Sequence, residues 1–196
     1  MPSNRQLRRA LDEHLGQQLT PELAARIALQ CDDLSLAQDS KPDDVVRARL
    51  LDAFCDDESA ADLVLLLASI AHTWDDLIDR DRKVLTQGIH RAFANAVIGL
   101  NLNPFFRSHC AALLPVLETG ILNWHAANEL ENDGRLESLE VAHVVRCAVG
   151  DVALLMAEIC GGRAHAMRHA AGLRMLTQQD SLASYLRDFK EAGNAA

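Results

Sequence analysis

Leu63-Val64-Leu65-Leu66-Leu67-Ala68-Ser69-Ile70-Ala71-His72-Thr73-Trp74-Asp75-Asp76-Leu77-Ile78-Asp79-Arg80 is the stretch that decides the fold. From Leu63 to Ile70 it is apolar on almost every side, and a helix of that kind belongs to an interior. On a helix of roughly 100° per residue with His72 at zero, Asp76 falls at 40°, Asp75 at −60°, Asp79 at −20° and Lys83 at 20°. These polar groups share one sector, which a turn earlier carries Leu65 and Ala68. The acid stripe is therefore expected to begin where the helix is still partly covered.

Outward from this helix, helical signals recur and strand signals do not. Aromatics make up 4% of the chain, and β-branched residues do not alternate with polar ones. Ser3 and Thr20-Pro21-Glu22 open two helices, the first running from about Asn4 to Gln18. Ser40-Lys41-Pro42-Asp43 opens a third, and Asp56-Asp57-Glu58-Ser59 separates it from the helix quoted above. Thr86 caps a fifth, reaching about Leu100, and Asn103-Pro104 opens a sixth, reaching about Glu131 with a kink expected at Pro115, before a break at Asn132-Asp133-Gly134. A seventh is expected from about Leu136 to Ile159, stopped by Gly161-Gly162. Two more follow, from Gly162 to Gln178 and from Asp180 to Glu191. The expectation is one compact all-α domain over residues 1–196, a bundle of about nine helices, with residues 1–38 as a semi-independent arm.

The chain has 196 residues, 49% of them hydrophobic, enough for a sizeable core. Nineteen basic against 28 acidic residues give a formal charge of −9. That argues against nucleic acid or an anionic membrane as partner. Five cysteines, Cys31, Cys55, Cys110, Cys147 and Cys160, show no C-x-x-C spacing and read as reduced, mostly buried thiols of a cytoplasmic protein. The basic start, Met1 to Arg9, is followed by no apolar run of the secretory kind. The longest strongly apolar run falls short of the roughly 20 residues of a membrane span. A soluble protein is expected, with one apolar helix face suited to a homodimer.

Three carboxylates within two turns repel one another unless a cation sits among them. Hard divalent ions, Mg²⁺ or Mn²⁺, take oxygen ligands and share them with substrate phosphates. Asp75 and Asp79 stand at i and i+4 with Asp76 beside them, which suits such an ion. The plain alternative is a helix end that reaches water. Asp151, set among Val149, Val152 and Leu155, needs a partner: an arginine, a polar group or a share in the metal. Glu131 and Asn128 on the sixth helix complete a metal shell or form its wet side. Arg80 and Lys83 hold a phosphate or offset the aspartates, and His72 is a ligand, a base or a hydrogen-bond partner of an aspartate. His165 and His169 stand at i and i+4 among arginines and read as a solvated basic face.

Asp75-Asp76-Leu77-Ile78-Asp79 resembles the D-D-x-x-D motif of class I isoprenoid synthases. That resemblance implies an all-α enzyme whose aspartates bind Mg²⁺ on a prenyl diphosphate. Asn132, Asp133 and Glu140 match three positions of that family's N-D-x-x-S-x-x-x-E motif, with Leu136 at the hydroxyl position. Nucleotide pyrophosphohydrolysis is the other diphosphate chemistry of all-α bundles, although its E-E-x-x-E and E-x-x-D spacing is not found. Trp74 to Asp79, Asn103-Pro104-Phe105-Phe106, Asn123 to Glu131 and Arg146 to Val152 resemble a family of small proteins of tailed bacteriophages and prophages. That implies a phage origin, hence the host cytoplasm, and supplies no activity. Two functions are therefore carried forward: a metal site acting on a small-molecule diphosphate, and a non-catalytic helical protein that binds a host or phage protein.

Overall fold

A computed structural model describes residues 44–79, 84–178 and 180–195. The helices expected at Asn4–Gln18 and after Thr20, and the arm over 1–38, lie outside the described residues, as do Arg80 and Lys83. The described residues are helical and contain no strand, so the fold class is all-α. They fall into two compact units that divide between Cys110 and Ala111.

In the first unit, α1 spans Asp44–Ala53 and α2 spans Glu58–Asp79. The corner between them is tight: Cys55 and Asp56 have φ of 53° and 62°, the left-handed region that side chains resist. Asp57 then caps α2, accepting from the Ala60 amide at 3.1 Å and from the Ser59 hydroxyl at 2.6 Å. Helix α3 is one rod of three segments, Thr86–Ala94, a π-helical turn at Asn95–Gly99, and Leu100–Leu102. Thr86 does not cap it; Leu85 holds that position with no side-chain hydrogen bond.

Helix α4, Pro104–Asp133, begins in this unit. Asn103, 3% exposed, opens it. Its Oδ1 accepts from the Phe106 amide (2.9 Å) and its Nδ2 donates to the Ser59 carbonyl (2.8 Å), which ties the cap to the start of α2. The core joins Leu50, Phe54, Leu63, Val64, Leu66, Leu67, Leu102, Phe105 and Phe106.

The second unit holds the rest of α4, then α5 (Leu136–Val145), α6 (Ala148–Gly161), α7 (Arg163–Thr177) and α8 (Leu182–Ala195). Its buried side chains include Leu113, Ala127, Leu139, Val152, Met156 and Leu173. Gly134 (φ 66°) ends α4 and Gly162 (φ 76°) ends α6, both where left-handed backbone favours glycine. The single helix expected over Leu136–Ile159 is two, because the chain leaves helical geometry at Cys147 (φ −82°, ψ 56°). With two of nine expected helices outside the described residues and this one broken, the expected count does not carry over.

The thiols also differ from expectation. Cys55 is exposed, and Cys110, Cys147 and Cys160 are half-buried, all four free. No helix among the described residues is long and apolar enough to cross a membrane.

Candidate functional site

Helix α2 is two helices in one. Its first half buries Ala60, Ala61, Leu63, Val64, Leu66 and Leu67. Beyond Ile70 the exposure rises, and Trp74, Leu77 and Ile78 are 38%, 40% and 52% exposed. On the helical wheel, Leu63, Leu66, Leu67, Ile70, Trp74, Leu77 and Ile78 form one stripe about 120° wide. The helix thus carries a single apolar stripe that is covered at one end and open at the other.

The acids lie off that stripe, Asp75 nearer to it than Asp76. Asp75 lies about 60° beyond Ile78 on one side, and Asp76 lies about 100° beyond Leu77 on the other. Both are half-buried, and His72 is exposed. Asp79 is the last residue of the helix, and its side chain is outside the described residues. Among the described residues, no three His, Cys, Asp or Glu converge to hold a metal ion.

The remaining predicted acids lie in the second unit, each engaged by a cation. Glu131 accepts from Arg146 Nη2 and from the Tyr185 hydroxyl, and the same Nη2 donates to Asn128 Oδ1 at 2.8 Å. The Glu131 and Arg146 side chains are 17% and 19% exposed. Removing one member of so covered a pair costs about 3 kcal/mol. Asp151 accepts from Arg174 Nη2 on the neighbouring α7. That pair is about 40% exposed on both sides, so it contributes at most about 1 kcal/mol.

The close approach expected at Gly150 is present. A Cβ there would lie 2.8 Å from Thr177 Oγ1 and 3.0 Å from Arg174 Nη1. Cys147 Sγ, in the same joint, donates to the Thr177 carbonyl at 3.3 Å. Asp133 accepts from the Ser138 hydroxyl and from Arg135 Nε (2.7 Å). The Ser138 hydrogen bond, then Arg135, hold its carboxyl below the ordinary value of 3.8. The Asn132–Glu140 pattern is therefore not one helix: it crosses the α4–α5 break, and its aspartate is already engaged. His165 and His169 stack on α7 with ring centroids 4.3 Å apart, and Arg168 Nη2 lies 3.4 Å from His165 Nδ1.

Sequence reasoning passed over two residues of α3. Asn95, 6% exposed, sits at the start of the π-helical turn, and its buried Nδ2 has no partner among the described residues. Arg91 Nε, one turn earlier, is likewise buried and unpartnered. A buried donor left without an acceptor costs about 1–3 kcal/mol. The only sequence signal was a charge and an amide at i and i+4 in an otherwise apolar run.

Compared with protein-family models, curated proteins and solved structures, the chain matches none.

Proposed function

We propose that this chain is a non-catalytic helical interaction protein that docks a partner on the open end of the α2 stripe. The observation that carries this is the exposure of Leu77 and Ile78, with Trp74, on the face that buries Leu63, Leu66 and Leu67 a few turns earlier. Apolar groups lined up this way gain roughly 25 cal/mol for each Å² that a partner covers.

The partner's chemistry follows from the charge beside it. Asp75 stands nearest the stripe with Asp76 farther round the helix, and the chain carries a net charge of −9. A second copy would bring like charges together, whereas a basic amphipathic helix meets them with lysine or arginine while its apolar face covers the stripe. A phage origin, which the resemblance implies, makes a host or phage protein the natural source of that helix. The metal and diphosphate reading has less support, since Glu131 and Asp151 already spend their charge on Arg146 and Arg174.

Calorimetric titration with a helical Leu–Lys amphipathic peptide tests the proposal, with a Leu–Glu peptide of the same pattern as control. Saturable binding of the basic peptide alone, weakened about tenfold or more by Ile78→Asp, is the expected result. Equal binding of both peptides, or no effect of Ile78→Asp, would overturn it. Dimerisation in sedimentation runs that Ile78→Asp abolishes would instead assign the stripe to a second copy.

A further inference from the structure

Helices α2 and α3 pack against each other. Their connection, residues 80–85, is short, and Gly99 near the far end of α3 faces back onto Leu66. A Cβ at Gly99 would lie 3.0 Å from Leu66 Cδ1 and 3.5 Å from Asn95 Oδ1. The two helices are therefore antiparallel, with the Gly99–Leu66 contact fixing the register. At equal rise along both helices, Asn95 stands level with Ile70 and Arg91 with Trp74.

Burial shows which way these residues face. Gly88, Arg91, Ala92 and Asn95 are the more covered positions of α3, while Leu85, Ile89 and Phe93 on its other side are exposed. Arg91 and Asn95 thus share the inner face, one turn apart. Each brings a buried N–H to the seam, Arg91 Nε and Asn95 Nδ2, and among the described residues neither meets an acceptor. Neither of these two atoms can accept a hydrogen bond, so they cannot satisfy each other. The seam has two unpartnered donors and one positive charge, and the acceptor end of Asn95, Oδ1, lies toward Gly99, 3.5 Å from where a Cβ there would stand. The π-helical turn that begins at Asn95 adds to this, because such turns interrupt an α-helix at a cost and recur at functional sites.

We propose that Arg91 and Asn95 form a binding site for a carboxylate carried on an apolar ligand. One carboxylate has two acceptor oxygens, one for each donor, and a single charge that matches the single guanidinium. A doubly charged phosphate brings one charge more than the Arg91 guanidinium and more acceptor oxygens than the two donors. An apolar body suits the seam's other lining, Leu66 and Ile70. This site does not depend on the docking surface above: it uses the inner face of α3 and a different ligand chemistry.

The full-length chain is titrated with octanoate, with octanamide and with inorganic phosphate, following heat and the Arg Nε–H and Asn side-chain amide resonances. Octanoate is expected to bind saturably and move one Arg Nε–H and one Asn amide signal. Octanamide should bind about tenfold more weakly or worse. Arg91→Met should remove the octanoate response. Asn95→Asp, which replaces the Nδ2 donor by a charged acceptor one turn from Arg91, should also remove it and raise the melting temperature, so loss of binding is separable from loss of folding.

Three results would overturn the proposal. No saturable octanoate binding, or octanoate and octanamide binding alike, means that water meets both donors. Octanoate binding that survives both variants lies elsewhere. Phosphate binding more tightly than octanoate refutes the carboxylate assignment.

Discussion

Asp133 and Glu131, both near the end of α4, show how differently two carboxylates can be used. Asp133 is a junction: the Ser138 hydroxyl and Arg135 hold it ionised and clamp the chain across Gly134. Its carboxyl is held below the ordinary 3.8 in the folded chain, so the folded state binds its proton less readily than the unfolded one. The stabilisation it supplies is present above that ordinary value and is lost as pH falls below it, toward the folded pKa. Urea midpoints of wild type and Asp133→Asn should therefore differ at pH 7 and draw together as the pH falls below 3.8. A gap that stays constant would refute the clamp. Glu131 instead gathers Arg146 and the Tyr185 hydroxyl in a mostly covered place. Glu131→Ala should cost about 3 kcal/mol in denaturant unfolding, because it takes the carboxylate from a mostly covered guanidinium.

At the level of elements, caps and close contacts decide where helices start and how near they come. Asn103 satisfies the α4 N-terminus and reaches the Ser59 carbonyl with the other end of its amide. Asn103→Ala should lower stability by about 1–2 kcal/mol, read from the urea midpoint, since it removes a cap and the hydrogen bond that ties it to α2. Gly120 of α4 makes a competing prediction. A Cβ there would lie 2.7 Å from the Ala148 Cβ, and no rotamer relieves a clash between two Cβ atoms. Gly120→Ala gains up to about 1 kcal/mol of helix propensity yet should lose about 1–3 through overpacking, for a net fall in melting temperature.

These same elements mark what could be read in advance. Asn103-Pro104, Gly134 and Gly161-Gly162 announced their boundaries because each does its work through local chemistry, as a cap or a positive φ. The break at Cys147 and the π-helical turn at Asn95 did not. Val144, Val145, Val149 and Val152 keep a helical rhythm straight through the break. Asp151 could be read as needing a partner, but not as needing Arg174, which is brought to it by the packing of α6 on α7. The α2 acids were legible as a cluster. How far they are covered depends on what packs against α2, a property of its neighbours and not of its own residues.

At the scale of the molecule, acids meet cations of the chain itself: Asp62 of α2 pairs with Arg47, and Glu131 and Asp151 of the second unit with Arg146 and Arg174. Calorimetry with Mg²⁺ or Mn²⁺ should then give no saturable heat on wild type; heat that Asp76→Ala abolishes would restore the metal reading. Leu77→Ser and Ile78→Ser should leave the melting temperature within about 0.5 kcal/mol equivalent of wild type, because exposed side chains contribute little to folding.

Hydrogen exchange of the full-length chain, with and without the Leu–Lys peptide, addresses the docking surface most directly. The open end of the stripe, residues 70–79, should slow its exchange when the peptide is added, and the second unit should not change. Peptide binding with no added protection in α2, or with protection centred in the second unit, would contradict the account.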